Sequence, residues 1–218
     1  MSENTRGIEI VKQQGQKAVE ISVGGESVSA KGEPLDVQLV QQHAYVYLLI
    51  DCSGSMNKNK LDQAKQGVID FATDAILNKY KVGLICFETD ARLVCEPISD
   101  IQGLAIGVNA LRVGGGTNMV KAIRIAHDKL KHLSGTRVVV IATDGMPDDT
   151  KATLKVAQAA KNDGIEFIAI GTDDANKDFL GKLATRQGLS TKVASAVFSQ
   201  AIASASSMLP PPRGLIKR

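Results

Sequence analysis

Tryptophan is missing from this sequence, and Phe and Tyr together bring aromatics to only 4%. A hydrophobic core therefore has to be assembled from Val, Ile, Leu and Ala, within a hydrophobic fraction of 44% that is ordinary for globular proteins. No apolar run approaches the roughly 20 residues of a membrane-spanning helix. The polar start Met1-Ser2-Glu3-Asn4-Thr5-Arg6 also lacks the apolar stretch of a signal peptide. Charge of one sign is scarce: 26 Lys and Arg against 23 Asp and Glu leave +3, with no dense basic stripe to argue for nucleic acid. The three cysteines, Cys52, Cys86 and Cys95, are odd in number and lie in or beside apolar runs. Buried free thiols in a reducing compartment are expected rather than a disulfide framework. These absences point to a cytoplasmic protein that engages neither membrane nor nucleic acid.

At 218 residues the chain has room for one domain with appendages. Residues 1–42 differ in texture from the rest. Val19, Ile21 and Val23 alternate with polar or small neighbours, as do Leu35, Val37 and Leu39, around a Gly24-Gly25 turn signal. Period-2 patterning predicts half-buried antiparallel strands that pack on the main body or add to its sheet. From residue 43 to 209 apolar runs and helical spacings alternate. Strands are expected at Tyr45–Ile50, Lys81–Phe87, Arg137–Ala142 and Ile165–Ile170, with an antiparallel strand at Arg92–Ile98. Helices are expected at Lys60–Leu77, Ile101–Leu111, from Val120 to Leu133, Thr150–Asn162, Lys177–Arg186 and Ala196–Leu209. That order predicts an α/β fold, a doubly wound and mostly parallel sheet flanked by helices, with one short antiparallel edge strand. Residues 210–218, beginning Pro210-Pro211-Pro212, form a basic tail.

The run Tyr45-Val46-Tyr47-Leu48-Leu49-Ile50 has no alternation, so it belongs to a strand buried on both faces. It passes abruptly into Asp51-Cys52-Ser53-Gly54-Ser55. Asp51 then stands at the carboxyl end of a buried strand, where open α/β sheets place their ligands. Asp51, Ser53 and Ser55 can aim three oxygens at one point, a site for a hard cation, while Cys52 points away by alternation. Two more loops carry oxygens that can converge there: Thr117, behind Gly114-Gly115-Gly116, and Asp144, in Thr143-Asp144-Gly145.

These three elements, in this order, resemble the von Willebrand factor type A domain and its metal-ion-dependent adhesion site. The run Thr143-Asp144-Gly145-Met146-Pro147-Asp148-Asp149 resembles small intracellular bacterial members. The resemblance implies that Ser53, Ser55 and Thr117 hold the ion through hydroxyls and that Asp51 and Asp144 act directly or through water. An all-oxygen set without thiolate or imidazole favours Mg²⁺ or Mn²⁺ over Zn²⁺. The implied partner is another protein, which supplies a Glu or Asp to the metal across a rim of Met56, Asn57, Asn118, Met146 and Asp148. By resemblance alone, small members work with AAA+ ATPases, other multi-component assemblies or stress-response systems.

Other readings compete. Asp149 suits a helix N-terminus, and Asp148 fits either that role or the rim. His127 and His132 lack metal-ligand spacing. The glycine triplet lacks the Gly-Lys-Ser/Thr ending of a phosphate-binding loop. A magnesium-dependent hydrolase or phosphotransferase of the haloacid-dehalogenase kind also begins with an Asp at a strand end. It wants a second acid where Ser53 stands and a lysine near the site, and no lysine is marked for that role. A non-enzymatic, metal-dependent binding module is the expectation.

Overall fold

The apolar runs become the strands of one sheet. The computed structural model describes residues 18–23, 26–31 and 43–212, in a chain that divides into two units, Met1–Val40 and Gln41–Arg218. In the first unit, β1 (Ala18–Val23) pairs antiparallel with β2 (Glu26–Lys31), Val23 facing Glu26. The segment Glu-Ser-Val-Ser-Ala-Lys is too polar to stand out by alternation, which is why β2 was not expected as a strand. The pair forms a two-stranded sheet of its own. The Gly24-Gly25 turn, the run at Leu35–Leu39 and the basic end at 213–218 lie outside the described residues.

In the second unit six strands lie in the order β5-β4-β3-β6-β7-β8. They are β3 (Ala44–Asp51), β4 (Tyr80–Phe87), β5 (Ala91–Ile98), β6 (Thr136–Thr143), β7 (Glu166–Thr172) and β8 (Ser190–Val193). All neighbours are parallel except β4 and β5. The β5 edge carries Pro97 and register irregularities against β4, features that blunt an open edge. At the other edge β8 pairs with β7 over Ser190–Val193. This four-residue polar strand is too short for periodicity to reveal, and it is an addition to the expected set.

Helices α1 (Lys58–Leu77), α2 (Ile101–Asn109) and α6 (Phe198–Ser204) pack together, as do α3 (Met119–Leu130), α4 (Thr150–Asn162) and α5 (Lys177–Leu183). The connection from β3 runs to β4 and that from β6 runs to β7, in opposite directions along the sheet. Right-handed crossovers then place α1 and α4 on opposite faces. The cleft between the ends of β3 and β6 is the topological switch point. Helices α2, α3 and α5 end two to three residues short of expectation, at Asn109, Leu130 and Leu183, and the last helix and the start of α3 differ further. The last is broken into α6 between two 3₁₀ turns, Ser195–Val197 and Ala205–Met208, and leaves Val197 43% exposed. At the start of α3 it is Met119, not Val120, that is buried.

The α1–α6 contact depends on a missing side chain. A Cβ on Gly67 would lie 2.5 Å from the Ser199 carbonyl oxygen and 2.8 Å from Ile202 Cβ. Alanine is the better helix former by about 1 kcal/mol, yet overpacking against backbone costs about 1–3 kcal/mol. Gly67→Ala is therefore expected to destabilise by roughly 1 kcal/mol or more, seen as a fall in Tm. A higher Tm would mean that the helices separate without cost.

Candidate metal centre

Asp51 ends β3 and has no exposed surface. Its Oδ1 accepts the Ser53 backbone N–H at 2.8 Å, and its Oδ2 accepts the Thr143 hydroxyl at 2.5 Å. Burial nevertheless pushes its pKa up to about 6, against the hydrogen bonds from Ser53 and Thr143 and with a smaller upward push from the charge of Asp144. Cys52 and Ser53 then lead into Gly54–Met56, a 3₁₀ turn. The Ser53 and Ser55 hydroxyls are hydrogen-bonded at 3.0 Å, and Ser55 Oγ donates to Asp144 Oδ1 at 2.7 Å. Four of the five expected ligands thus form one connected group at the switch point. Ser55 is exposed while Asp51, Ser53 and Asp144 are buried, so the group opens to solvent through Ser55.

Thr117 arrives on a separate loop, held by backbone rather than by its own side chain. Gly54 N–H donates to the Gly115 carbonyl at 2.8 Å, and Gly114 N–H to the Cys52 carbonyl at 2.7 Å. Glu88 accepts Gly115 N–H at 2.7 Å, and Thr89 Oγ1 accepts Gly116 N–H at 2.9 Å. Both Asp148 oxygens accept Thr117 N–H, at 3.0 and 3.1 Å, and Asp148 N–H donates back to the Thr117 carbonyl. Glycine at two of these positions leaves room for the bracing side chains: a Cβ at Gly114 would lie 2.0 Å from the Glu88 carboxylate, and one at Gly115 would lie 2.4 Å from Thr89 Oγ1, so either would displace its partner.

The expected rim is revised. Met56 is fully buried and cannot touch a partner, because the 3₁₀ turn rotates it into the core. Asn57 and Asn118 cap α1 and α3, accepting from Lys60 N–H and Lys121 N–H. Asp148 braces the Thr117 loop, and Asp149 caps α4 through Ala152 N–H. Met146 is 39% exposed, and Val113, which the sequence did not single out, is 41% exposed. Cys52 is buried, and its hydrogen bond with Cys86, together with burial, holds its thiol well above the usual range. It stays a neutral thiol beside the oxygens. His127 meets Asp163 at 2.6 Å, away from this group.

Three contributors were missed. Thr143 is visible in the Thr-Asp-Gly motif, but its hydroxyl bond to Asp51 depends on β3 and β6 being neighbours. Lys60 lies 2.7 Å from Asp144 Oδ2 and 2.7 Å from Asp173 Oδ2. Burial lowers the Lys60 pKa, but its hydrogen bonds to Asp144 and Asp173 outweigh this and hold the ammonium above its usual range. Asp173 follows β7, one strand beyond β6, and its only sequence signal is that it ends a buried strand.

The donor set fits a hard divalent cation. Adjacent oxygens around an octahedral ion bound at about 2.1 Å stand about 3.0 Å apart, close to the 3.0 and 2.7 Å separations linking Ser53, Ser55 and Asp144. An ammonium already stands on the Asp144 carboxylate, so the position attracts positive charge. Among the described residues no three His, Cys, Asp or Glu side chains gather into a metal cluster; the hydroxyls are essential to any such site.

Residues 46–205 match the family model of the von Willebrand factor type A domain. The chain belongs to this family. Among curated proteins, the magnesium-chelatase 67 kDa subunit of Heliobacterium mobile is 26% identical over 176 residues, 72% of this chain and 25% of that protein. The chain thus spans about a quarter of that relative's length. Among solved structures, the von Willebrand domain of the type V pili tip protein Mfa5 from Porphyromonas gingivalis aligns with a TM-score of 0.70 at 12% identity, over 83% of this chain and 99% of that one. Proximal thread matrix protein 1 from the mussel byssus, with a zinc-occupied metal-ion-dependent adhesion site, aligns at 0.64 and 16% identity, over 75% and 46%. At such identities these structures speak for the fold alone.

Two expectations follow. A carboxyl raised in the folded state favours folding while protonated, fully below about pH 4 and no longer once pH has risen through about 6. In EDTA, the unfolding free energy of wild type minus that of Asp51→Asn should therefore fall by roughly 2–3 kcal/mol between pH 4 and pH 7. A flat difference in denaturant titrations would show an unshifted Asp51, and a rising one an ionised Asp51 that the fold stabilises. Asp148→Ala should weaken Mg²⁺ binding by about 10- to 100-fold, as for residues that orient ligands; unchanged calorimetric affinity would remove Asp148 from that role.

Proposed function

We propose that this VWA domain is a metal-dependent protein-binding module. It holds Mg²⁺ or Mn²⁺ at Asp51, Ser53, Ser55, Thr117 and Asp144 and takes a Glu or Asp of another protein as an outer ligand. The observation that carries this reading is the chain of oxygens from Ser53 through Ser55 to Asp144, spaced like octahedral neighbours and open at Ser55. The ion supplies a positive centre for an incoming carboxylate. Asp51 and Asp144 balance its charge, while the hydroxyls add donors without adding charge. Val113 and Met146, beside the two loops, offer apolar area that a single polar contact needs for affinity.

Asp51 argues against the hydrolase alternative. Both its oxygens accept hydrogen bonds and none of its surface is exposed, so it is not poised as a nucleophile. Lys60 supplies the lysine that such an enzyme wants, but position 53 remains a serine. No Mg²⁺-dependent phosphatase turnover above that of Asp144→Ala is expected. Membership of an AAA+ ATPase-linked or stress-response assembly belongs to the same proposal. Its support is the family resemblance and the likeness to a protein named as a chelatase subunit.

Thermal melts test the metal reading. Mg²⁺ or Mn²⁺ at about 100 times its Kd should stabilise wild type by about 2.7 kcal/mol over EDTA, with no rise in Asp144→Ala. Zn²⁺ is the third arm, and a rise with Zn²⁺ alone would overturn the choice of ion. Equal rises in wild type and Asp144→Ala would place the ion elsewhere.

A further inference from the structure

Lys60 stands in the first turn of α1, which contains no acidic residue. The positive end of a helix dipole disfavours a cation there. Its side chain is nevertheless only 18% exposed, and its Nζ lies 2.7 Å from Asp144 Oδ2 and 2.7 Å from Asp173 Oδ2. Asp144 Oδ1 is already engaged by Ser55, so the ammonium holds the remaining oxygen of a carboxylate whose side chain is fully buried.

We infer that Lys60 is a resident cation that competes with the divalent ion for Asp144, and that Asp173 is the second seat to which its ammonium withdraws. The inference rests on the metal reading above. Two cations cannot share Asp144 Oδ2 at contact distance in a partly buried site without strong repulsion. The ammonium must therefore give up Asp144, and its existing bond to Asp173 lets it do so without losing its counter-charge. Asp173 suits this use. It is 31% exposed against 0% for Asp144, so an ammonium moved onto it swings toward water. Its φ of +45° is unusual for a non-glycine residue, and the adjoining Asp174 N–H donates to the Asp144 backbone carbonyl at 3.0 Å. The second seat is thereby fixed to the first through the backbone.

Lys60 then has opposite effects in the two states. Without the ion it neutralises buried Asp144 and stabilises the fold. With the ion it is a nearby like charge that lowers affinity. A lysine serving structure alone would stabilise both states equally.

The test uses the full chain, with Lys60→Gln and Lys60→Met, the latter keeping length without charge. Mg²⁺ titration calorimetry is combined with thermal melts in EDTA and in saturating Mg²⁺. Each variant should bind Mg²⁺ roughly tenfold or more tightly than wild type, given a unit charge removed within a few ångströms. Each should melt below wild type in EDTA and at or above it in Mg²⁺. Asp173→Asn should weaken Mg²⁺ binding in wild type and have a several-fold smaller effect beside Lys60→Gln, because its role is to receive the ammonium. Mg²⁺ binding in the Lys60 variants but not in wild type would support the inference in its strongest form. Unchanged affinity, or an equal Tm loss in EDTA and Mg²⁺, would overturn it while leaving the metal site intact. No Mg²⁺ response in any of these proteins would overturn the metal reading and this inference together.

Discussion

A carboxylate with no exposed surface ends the central strand, and the surrounding loops follow from the need to satisfy it. Burying an ionisable group without partners is costly. Asp51 offsets part of that cost with two donors, the Ser53 amide and the Thr143 hydroxyl. The first requires the chain to turn immediately after β3. The second requires β6 to lie beside β3, which the sheet order provides. The residue that marks the site is thus also a clamp between the two strands whose connections diverge there. Opening that pair would leave a buried acid without one of its two donors.

Around this centre the loops are pinned to one another as much as to the core. Glu88 and Thr89, just after β4, hold the glycine triplet, Asp148 holds Thr117, and Gly54 pairs with Gly115. The position of each oxygen is therefore a collective property of several strand ends. Such bracing favours a site whose ligand geometry is set before a ligand arrives, and it draws on side chains that are not themselves ligands. Asp148 shows the point: an acid beside a candidate metal site spends both oxygens on a backbone amide.

Charge is arranged in the same way. Asp144 is shared between Ser55 and Lys60, and Lys60 between Asp144 and Asp173. The positive end of α1, the ammonium and the carboxylates form a connected group in which a change in one member is felt by the rest. This is compatible with a domain whose grip on a partner depends on what occupies the site. It also separates this site from a simple acidic cup, because a cation of the chain itself stands on Asp144.

The alternation of apolar runs with helical spacings was enough to predict the doubly wound sheet, and the abrupt change to oxygen chemistry after Ile50 marked a candidate ligand site at its carboxyl edge. Periodicity and the Asp-x-Ser-x-Ser spacing are local, so they survive without coordinates. The polar strands β2 and β8 were not legible, because pairing rather than hydrophobic pattern makes them strands. The burial of Met56 was hidden because a single 3₁₀ turn reverses the direction that simple alternation suggests. Lys60 and Asp173 lie 113 positions apart, and no spacing rule joins them. Only the tertiary structure, by laying β7 next to β6 and starting α1 over their ends, brings the ammonium between two acids. Local sequence determined which oxygens the site can offer, while long-range packing decided which cation already stands among them, because ion pairing depends on distance in space and not along the chain.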